Sequence, residues 1–146
     1  MNRFYVDSAP IDPASVEALV RASAYGAVAT FSGIVRERAD DGRPVTGLSY
    51  EAHADMATAE FERIATEAIE RFGDCEIAIA HRIGELRVGE TAVVVAVGAV
   101  HRSRALDACR YAIDQLKARA PIWKREAYAD GTSEWRENCA HDEAAP

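Results

Sequence analysis

Alternation of apolar and polar residues marks the elements in the first part of the chain. A helix is predicted over 12–24. Asp12 can cap its free N–H groups and Pro13 suits its first position. Apolar residues then recur at helical spacing. β-branched residues predict a strand over 27–35, and alternation predicts a returning strand over 48–53. The charged segment 36–46 between them contains glycine and proline, which predicts a loop.

A long helix and a short strand follow. Asp55 is expected to cap the second helix, and Gly73 is expected to end it. Alternating residues predict a strand over 76–81. Residues 84–90 contain two glycines and are expected to form a turn region.

The last part of the chain has the most continuous apolar segment. Residues 91–100 are nearly all apolar, which predicts a strand buried on both faces. Ser103 is expected to cap a third helix, which stops before Pro121 because proline disfavours helix at the preceding residue. A last strand is predicted over 122–129. The third helix is expected to bury Leu106, Cys109, Ile113 and Leu116.

The predicted order β-α-β-β-α-β-β-α-β mixes hairpins with helical crossovers. It indicates an α+β fold with a mixed or largely antiparallel sheet and three main helices. We expect one domain over 1–136, followed by a flexible acidic tail over 137–146.

Composition excludes several functional classes. The chain has 146 residues, 49% of them hydrophobic, with a net charge of −7 and a pI of about 5.1. An acidic domain is a poor match for duplex nucleic acid. There is no apolar run of the roughly 18 residues that a membrane span needs and no signal peptide pattern, so we expect a cytoplasmic protein. The three cysteines have neither disulfide nor zinc spacing, so no metal is expected.

Two basic clusters bracket the third helix of this acidic chain. The first is 101–104 and the second is 117–126. His101 and Arg102 stand where a buried strand meets a helix, and free N–H groups and the helix dipole favour an anion there. The sequence therefore predicts a local site for a small phosphorylated ligand. The alternative is that these cations are ordinary solvated surface residues.

Three further cations are candidates for the same chemistry. Lys117 follows Leu116 and is expected to point inward, although a cation in a last helical turn also complements the dipole. Lys124 and Glu126 are expected to share one face of the last strand, with Arg125 on the other. Arg36 ends a strand, where it is either a ligand clamp or a plain surface residue.

Four segments of the chain resemble the large, catalytic subunit of molybdopterin synthase, the MoaE family. The resemblance runs in order over about residues 25–136, and the segment at 116–126 is its most specific part. The segments are Phe31-Ser32-Gly33-Ile34-Val35-Arg36, His81-Arg82-Ile83-Gly84-Glu85-Leu86, Ala99-Val100-His101-Arg102-Ser103 and Leu116-Lys117-Ala118-Arg119-Ala120-Pro121-Ile122-Trp123-Lys124-Arg125-Glu126.

The resemblance implies a fold, an activity and partners. The fold would be α/β hammerhead-like. The reaction would convert cyclic pyranopterin monophosphate (precursor Z) to molybdopterin by installing two dithiolene sulfurs, in molybdenum cofactor biosynthesis. Sulfur would come from the C-terminal thiocarboxylate of a small ubiquitin-like subunit (MoaD), without a required cofactor. The large subunit would be a homodimer within a heterotetramer.

The resemblance also assigns roles to residues. Lys117 would be the principal catalytic residue and Lys124 a second, acting either in acid–base chemistry or through a transient covalent link. One subunit would complete its neighbour's pocket. The substrate-binding residues would be Ile34, Val35, Arg36, His101, Arg102, Lys117, Lys124, Arg125 and Glu126.

Two other functions are compatible with a local cationic site. One is a dimeric adaptor that docks a ubiquitin-like protein and holds a phosphorylated ligand without turnover. The other is a lyase or phosphoesterase that needs no protein sulfur donor. The segment at 116–126 favours the synthase over both.

Overall fold

The apolar run that starts at Thr91 forms the strand at the centre of the fold. The computed structural model describes residues 2–137, and this strand spans Thr91–Ala99, with every residue after Thr91 buried. It has antiparallel neighbours on both sides. Helices pack against both faces of its sheet, which explains why the run shows no polar alternation.

Eight strands and three helices are present in the described part of the chain. They are β1 (Phe4–Asp7), α1 (Pro13–Ala18), β2 (Ala27–Ile34), β3 (Val45–Ala52), α2 (Ala54–Phe72), β4 (Glu76–Arg82), β5 (Gly84–Arg87), β6 (Thr91–Ala99), α3 (Arg102–Arg119), β7 (Ile122–Tyr128) and β8 (Ser133–Glu137).

The strands form two four-stranded sheets. The first has the order β1-β4-β6-β2, and the second has the order β5-β3-β7-β8. β1 runs parallel to β4, and the remaining pairs are antiparallel. The α+β class with three helices and largely antiparallel pairing is therefore confirmed, with the strands divided between two sheets. The chain passes from the first sheet to the second at Ile83, between β4 and β5.

The first helix is shorter than the sequence predicts. Asp12 caps it as expected, accepting a hydrogen bond from the Ala14 N–H at 3.1 Å, but the helix ends at Ala18 rather than near Ala24. Val20 is fully buried, and its carbonyl lies against Gly98 of β6, where no side chain would fit. This backbone contact with the sheet ends the helix early, because tertiary packing overrides helical spacing.

The other two helices begin at unexpected caps. α2 is capped by His53, whose Nδ1 accepts from the Met56 N–H at 3.2 Å, so the predicted Asp55 cap is wrong. α3 begins at Arg102, with His101 at the cap position and no side-chain cap bond, so the predicted Ser103 cap is also wrong. The predicted ends at Gly73 and before Pro121 are confirmed.

The buried face of α3 differs from the prediction at one position. Leu106 is 58% exposed, while Cys109, Ile113 and Leu116 are buried as expected. Alanines supply the rest of the face, because small side chains let α3 lie close to the first sheet. The buried residues are Ala105, Ala108, Cys109, Ala112, Ile113 and Leu116.

The leading strand of the predicted order, which has no assigned range, is β1 at Phe4–Asp7, and two further short strands lie outside the prediction. Residues 84–87 form β5 rather than a turn, and the glycines at 84 and 89 take positive φ at its borders. β8 extends to Glu137, so the expected tail starts inside a strand. Residues 138–146 lie outside the described residues, and the domain boundaries stay predictions. No helix within residues 2–137 is long and apolar enough to cross a bilayer.

Candidate active site

The last turn of α3 and the inner face of β7 bring two lysines to the same region of the fold, on either side of His81 and Tyr50. Lys117 is half-buried in the last turn of α3, and Lys124 of β7 has 22% of its side chain exposed. Lys124 lies opposite Tyr50 of β3 in the sheet register. The Tyr50 ring meets His81 of β4 edge to face, with 4.9 Å between ring centroids. We refer to Lys117, Lys124, Tyr50, His81 and Glu126 as the lysine pocket.

The two lysines are exceptional in this chain. Its seventeen cationic side chains comprise fifteen arginines and only Lys117 and Lys124. An amine differs from a guanidinium because it loses a proton far more readily and then becomes a nucleophile. Both groups of this kind are therefore concentrated at one place.

His81 forms the buried wall beside Lys117. Only 1% of the residue is exposed, and its Nδ1 lies 2.8 Å from the Arg82 carbonyl oxygen. Burial above all, together with the charge of Lys117, lowers the pKa of His81 to about 4, against the opposing effect of the hydrogen bond to the Arg82 carbonyl. The imidazole is therefore neutral at pH 7, with the proton on Nδ1 and an acceptor at Nε2.

Tyr50 is held neutral by its surroundings as well. Burial raises the pKa of Tyr50 to about 12, and the nearby negative charge of Glu126 contributes to the rise. The phenol therefore keeps its proton at neutral pH and offers the pocket an apolar ring with one donor.

Glu126 is a buried carboxylate that anchors the inner face of β7. It is 6% exposed. The Tyr128 hydroxyl donates to its Oε1 at 2.8 Å, and Lys124 Nζ lies 4.0 Å from its Oε2. Arg136 Nε lies 2.9 Å from Oε1 but is not aligned as a hydrogen-bond donor, so we interpret this contact as ionic. These partners offset the cost of burying the charge.

Arg125 points away from the lysine pocket. As predicted, it lies on the face of β7 opposite Lys124 and Glu126. Its guanidinium sits 5.8 Å from the Trp135 ring and borders an open groove of about 430 Å³ on the outer face of the second sheet. Within one chain this side chain does not join the pocket.

Arg36 lies at the rim of the pocket, just after β2. It is exposed and forms an ion pair of 2.7 Å with Asp40. The Arg36 hydrogen bond holds the pKa of the Asp40 carboxyl below its ordinary value, and the charges of Lys124 and Arg136 add to this effect. The next residue, Asp41, lies 3.4 Å from Arg136 Nη2, and Arg136 in turn contacts Glu126, so this loop borders the lysine pocket. Of the neighbouring candidates, Ile34 is exposed and Val35 is buried in the core.

His101 and Arg102 lie at the opposite end of α3. Both are exposed, at the junction of β6 and α3 as predicted. α3 has 18 residues, so it spans about 27 Å at 1.5 Å per residue. The structure therefore separates the predicted site into two parts that one chain does not bring together.

Known proteins are similar in sequence to this chain over most of its length. The family described as MoaE protein matches residues 6–119. A molybdopterin synthase catalytic subunit from a Nostoc species is 46% identical over 140 residues, covering 92% of this chain and 81% of the relative. The chain belongs to the MoaE family.

Solved structures of molybdopterin synthase proteins have the same fold as this chain. Molybdopterin synthase from Staphylococcus aureus has a TM-score of 0.88 at 36% identity, covering 93% of this chain and 98% of that one. A complex of subunits 1 and 2 of molybdopterin-converting factor from Helicobacter pylori has a TM-score of 0.69 at 24% identity, covering 86% and 85%, and shares the fold.

The activity predicted from the sequence is confirmed at the level of the family. This MoaE chain acts as a catalytic subunit of molybdopterin synthase, an enzyme that transfers sulfur in molybdenum cofactor biosynthesis. The relatives' activity favours the synthase over the adaptor and over another phospho-ligand enzyme. Across residues 2–137 no cluster of three or more His, Cys, Asp or Glu side chains is arranged to hold a metal ion.

Tyr50 and His81 of the lysine pocket, and the neighbouring charges Asp40 and Arg136, are not among the site residues that the sequence predicts for this MoaE chain. Tyr50 was visible only as one residue of an alternating strand, and Asp40 as one charge in a loop. Arg136 belongs to β8, which was not predicted. The contacts of Tyr50 and Arg136 depend on pairing between strands distant in sequence, since both lie opposite Lys124, whereas Asp40 pairs with Arg36 within one loop.

Proposed function

We propose that the lysine pocket is where this chain transfers sulfur from the thiocarboxylate of a small ubiquitin-like subunit (MoaD) to cyclic pyranopterin monophosphate. The observation that carries the proposal is the convergence of the chain's two lysines on a half-buried site with a neutral imidazole and a neutral phenol. The thiocarboxylate sulfur forms a C–S bond to the pterin side chain as the cyclic phosphate opens, and water then cleaves the acyl–sulfur bond, so that the small subunit leaves with a C-terminal carboxylate. A second delivery of sulfur completes the dithiolene.

Lys117 is the principal catalytic residue in this proposal. It borders His81, whose neutral ring leaves an acceptor in the pocket. Lys117 therefore transfers protons during attack by the thiocarboxylate sulfur, or forms a transient covalent link to an intermediate. Lys124 is the second catalytic residue. Glu126 fixes its ammonium from 4.0 Å away, which orients Lys124 towards the pocket.

Arg36 binds the substrate's phosphate at the rim, because a guanidinium grips phosphate oxygens in bidentate fashion. We further propose that His101 and Arg102 reach this phosphate from a second copy of the chain, since their own pocket lies about 27 Å away along α3. β2 offers a surface for that copy. It is an edge strand of the first sheet and exposes Val28, Phe31 and Ile34.

The remaining predicted site residues have no direct part in the chemistry of this proposal. Ile34 is exposed on the edge strand, where it meets substrate or the second copy. Val35 is buried, and its backbone bonds to Glu90 and Gly89, so it acts by fixing the end of β2 beside Arg36. Arg125 faces away from the pocket, so any contact of its guanidinium with substrate requires a neighbouring chain.

The proposed sulfur transfer also has implications for the partner, the need for a cofactor and the cellular compartment. The sulfur arrives on the small subunit's C-terminal tail, already at the oxidation level of a thiol, so the reaction uses proton transfer and anion binding without a resident cofactor. The two-subunit composition of the Helicobacter pylori complex supports such a partner, and we propose that two copies of each chain assemble as a heterotetramer. A cytoplasmic location is supported by the free thiols of Cys75 and Cys109.

A single-turnover assay with precursor Z and thiocarboxylated small subunit tests the proposal. We expect wild type to form molybdopterin and Lys117→Ala to lose at least about 100-fold in rate, a typical cost for a lost acid–base group. Lys117→Arg keeps the charge but not the proton transfer, so it should be equally inactive. Arg110→Ala removes an exposed cation of the same helix and should retain activity. Turnover by folded Lys117→Ala would exclude Lys117 as the catalytic residue.

A further inference from the structure

Asp40 lies among the cations of the pocket without belonging to its proposed chemistry. Its Oδ1 is 2.7 Å from Arg36 Nη2, and 80% of its side chain is exposed. The charges of Lys124 and Arg136 also act on it. The carboxylate therefore occupies the Arg36 guanidinium in a region where the charges of Lys124 and Arg136 are also felt.

The loop that carries Asp40 is held in place by its backbone. The Ala39 N–H donates to the Arg43 carbonyl and the Gly42 N–H to the Ala39 carbonyl, both at 2.9 Å. Ala39 is 5% exposed, and Arg38 forms a bridge with Pro44. Only the Asp40 side chain has to rotate for Arg36 to be released, and the loop can remain as it is.

We propose that Asp40 is a competing anion that occupies Arg36 in the empty pocket and is displaced by the phosphate of the substrate. This inference rests on the proposed role of Arg36. Carboxylate and phosphate offer a guanidinium the same bidentate geometry, so the two exclude each other. An exposed ion pair contributes little stability, so a phosphate displaces the carboxylate from Arg36 at small cost. Asp40 thereby weakens the binding of small anions that reach Arg36 alone.

Calorimetric titration of the full chain with inorganic phosphate tests this competition. Asp40→Asn should bind phosphate about 2–5-fold more tightly than wild type, the range that an exposed ion pair supports. Glu37→Gln removes a negative charge from the same loop that forms no ion pair within residues 2–137, and it should change affinity by less than about 1.5-fold. Phosphate binding by Asp40→Asn that is equal to or weaker than that of wild type would overturn the proposal.

A second pair of variants separates competition from general charge. In an Arg36→Gln background, Asp40→Asn should no longer improve phosphate binding, because the guanidinium for which the anions compete is gone. An undiminished improvement would mean that Asp40 acts only through net charge, and the competition would be rejected. Arg36→Gln that binds phosphate as well as wild type would instead remove the phosphate site itself, and with it the proposed role of Arg36.

Discussion

Tyr50 and His81 join the two sheets at the lysine pocket. Their rings meet edge to face with centroids 4.9 Å apart, although Tyr50 belongs to the second sheet and His81 to the first. Such an arrangement places the positive edge of one ring against the face of the other. Both residues are buried, and each is uncharged at pH 7. The pocket thus has a rigid neutral wall beside its two amines.

The neutral state of His81 makes stability depend on pH. Its pKa falls from 6.5 in an exposed state to about 4 in the folded protein, so the unfolded chain takes up a proton first as pH falls. The stability linked to this group is therefore complete above pH 6.5 and is lost progressively down to pH 4, by about 3 kcal/mol. Urea unfolding of wild type between pH 7.5 and 4 should show this loss.

His81→Asn isolates this effect, since asparagine does not titrate and keeps a donor for the Arg82 carbonyl. The variant should have a smaller decrease in unfolding free energy over the same pH range. His53→Asn is the matched control, because it removes a histidine but keeps a good cap for α2. Equal pH slopes for His81→Asn and wild type would contradict a buried neutral His81.

Glu126→Gln should destabilise the fold by about 1–3 kcal/mol, the usual cost of unsatisfied polar groups. The substitution preserves the shape of the side chain but leaves Arg136 and Lys124 without their buried counter-charge. Glu134→Gln alters an exposed partner of the same arginine and should change stability by less than about 1 kcal/mol. Thermal and urea unfolding measure both, and a neutral Glu126→Gln would show that the buried charge is dispensable.

Mixing two inactive variants tests whether the site is shared between copies. In a heterodimer of Lys117→Ala with Arg102→Ala, one pocket has both residues intact if Arg102 acts across the dimer. Random exchange of subunits in a symmetric dimer should then restore about a quarter of wild-type molybdopterin formation. If Arg102 instead serves the pocket of its own chain, every heterodimer stays inactive and the mixture recovers nothing.

Gly98→Ala should be among the most damaging small substitutions in the first sheet. A Cβ at this position would collide with the Val20 carbonyl and press on the Tyr25 ring. We expect a loss of about 3 kcal/mol or more in unfolding free energy, since a backbone clash relaxes poorly. Val97→Ala is the control, since it measures how much unfolding free energy is lost when a buried side chain of the same strand is only shortened. Near-normal stability of Gly98→Ala would contradict the close packing of α1 and its turn.

The sequence predicts those parts of the fold whose local signal agrees with their final environment. The run at 91–100 contains almost no polar residue, and it is the central strand. Pro121 ends α3, and the alternation in 122–129 places Lys124 and Glu126 on one face. In each case the nearest neighbours along the chain decide the outcome.

The remaining parts depend on contacts between distant segments. β5 and β8 have four and five residues, too few for a periodic pattern, and they are strands because β3 and β7 offer free edges. Leu106 fits helical spacing yet is exposed, since alanines make the close contact with the sheet. The sequence places His101 and Arg102 correctly at a helix start, but only the length of α3 shows that their own Lys117 is out of reach.

Because both lysines lie in one pocket, chemical modification of amines can report on that pocket in the unmodified protein. An amine-directed reagent such as formaldehyde with borohydride will modify this protein at Lys117, Lys124 and the α-amino group only, because every other cationic side chain is an arginine. Apart from the shift of the N-terminal peptide, which carries the α-amino group, methylation mass shifts therefore report on the two lysines of the pocket. If phosphate or the partner's tail protects these lysines from methylation, the protection shows directly that the pocket is occupied, without any engineered label.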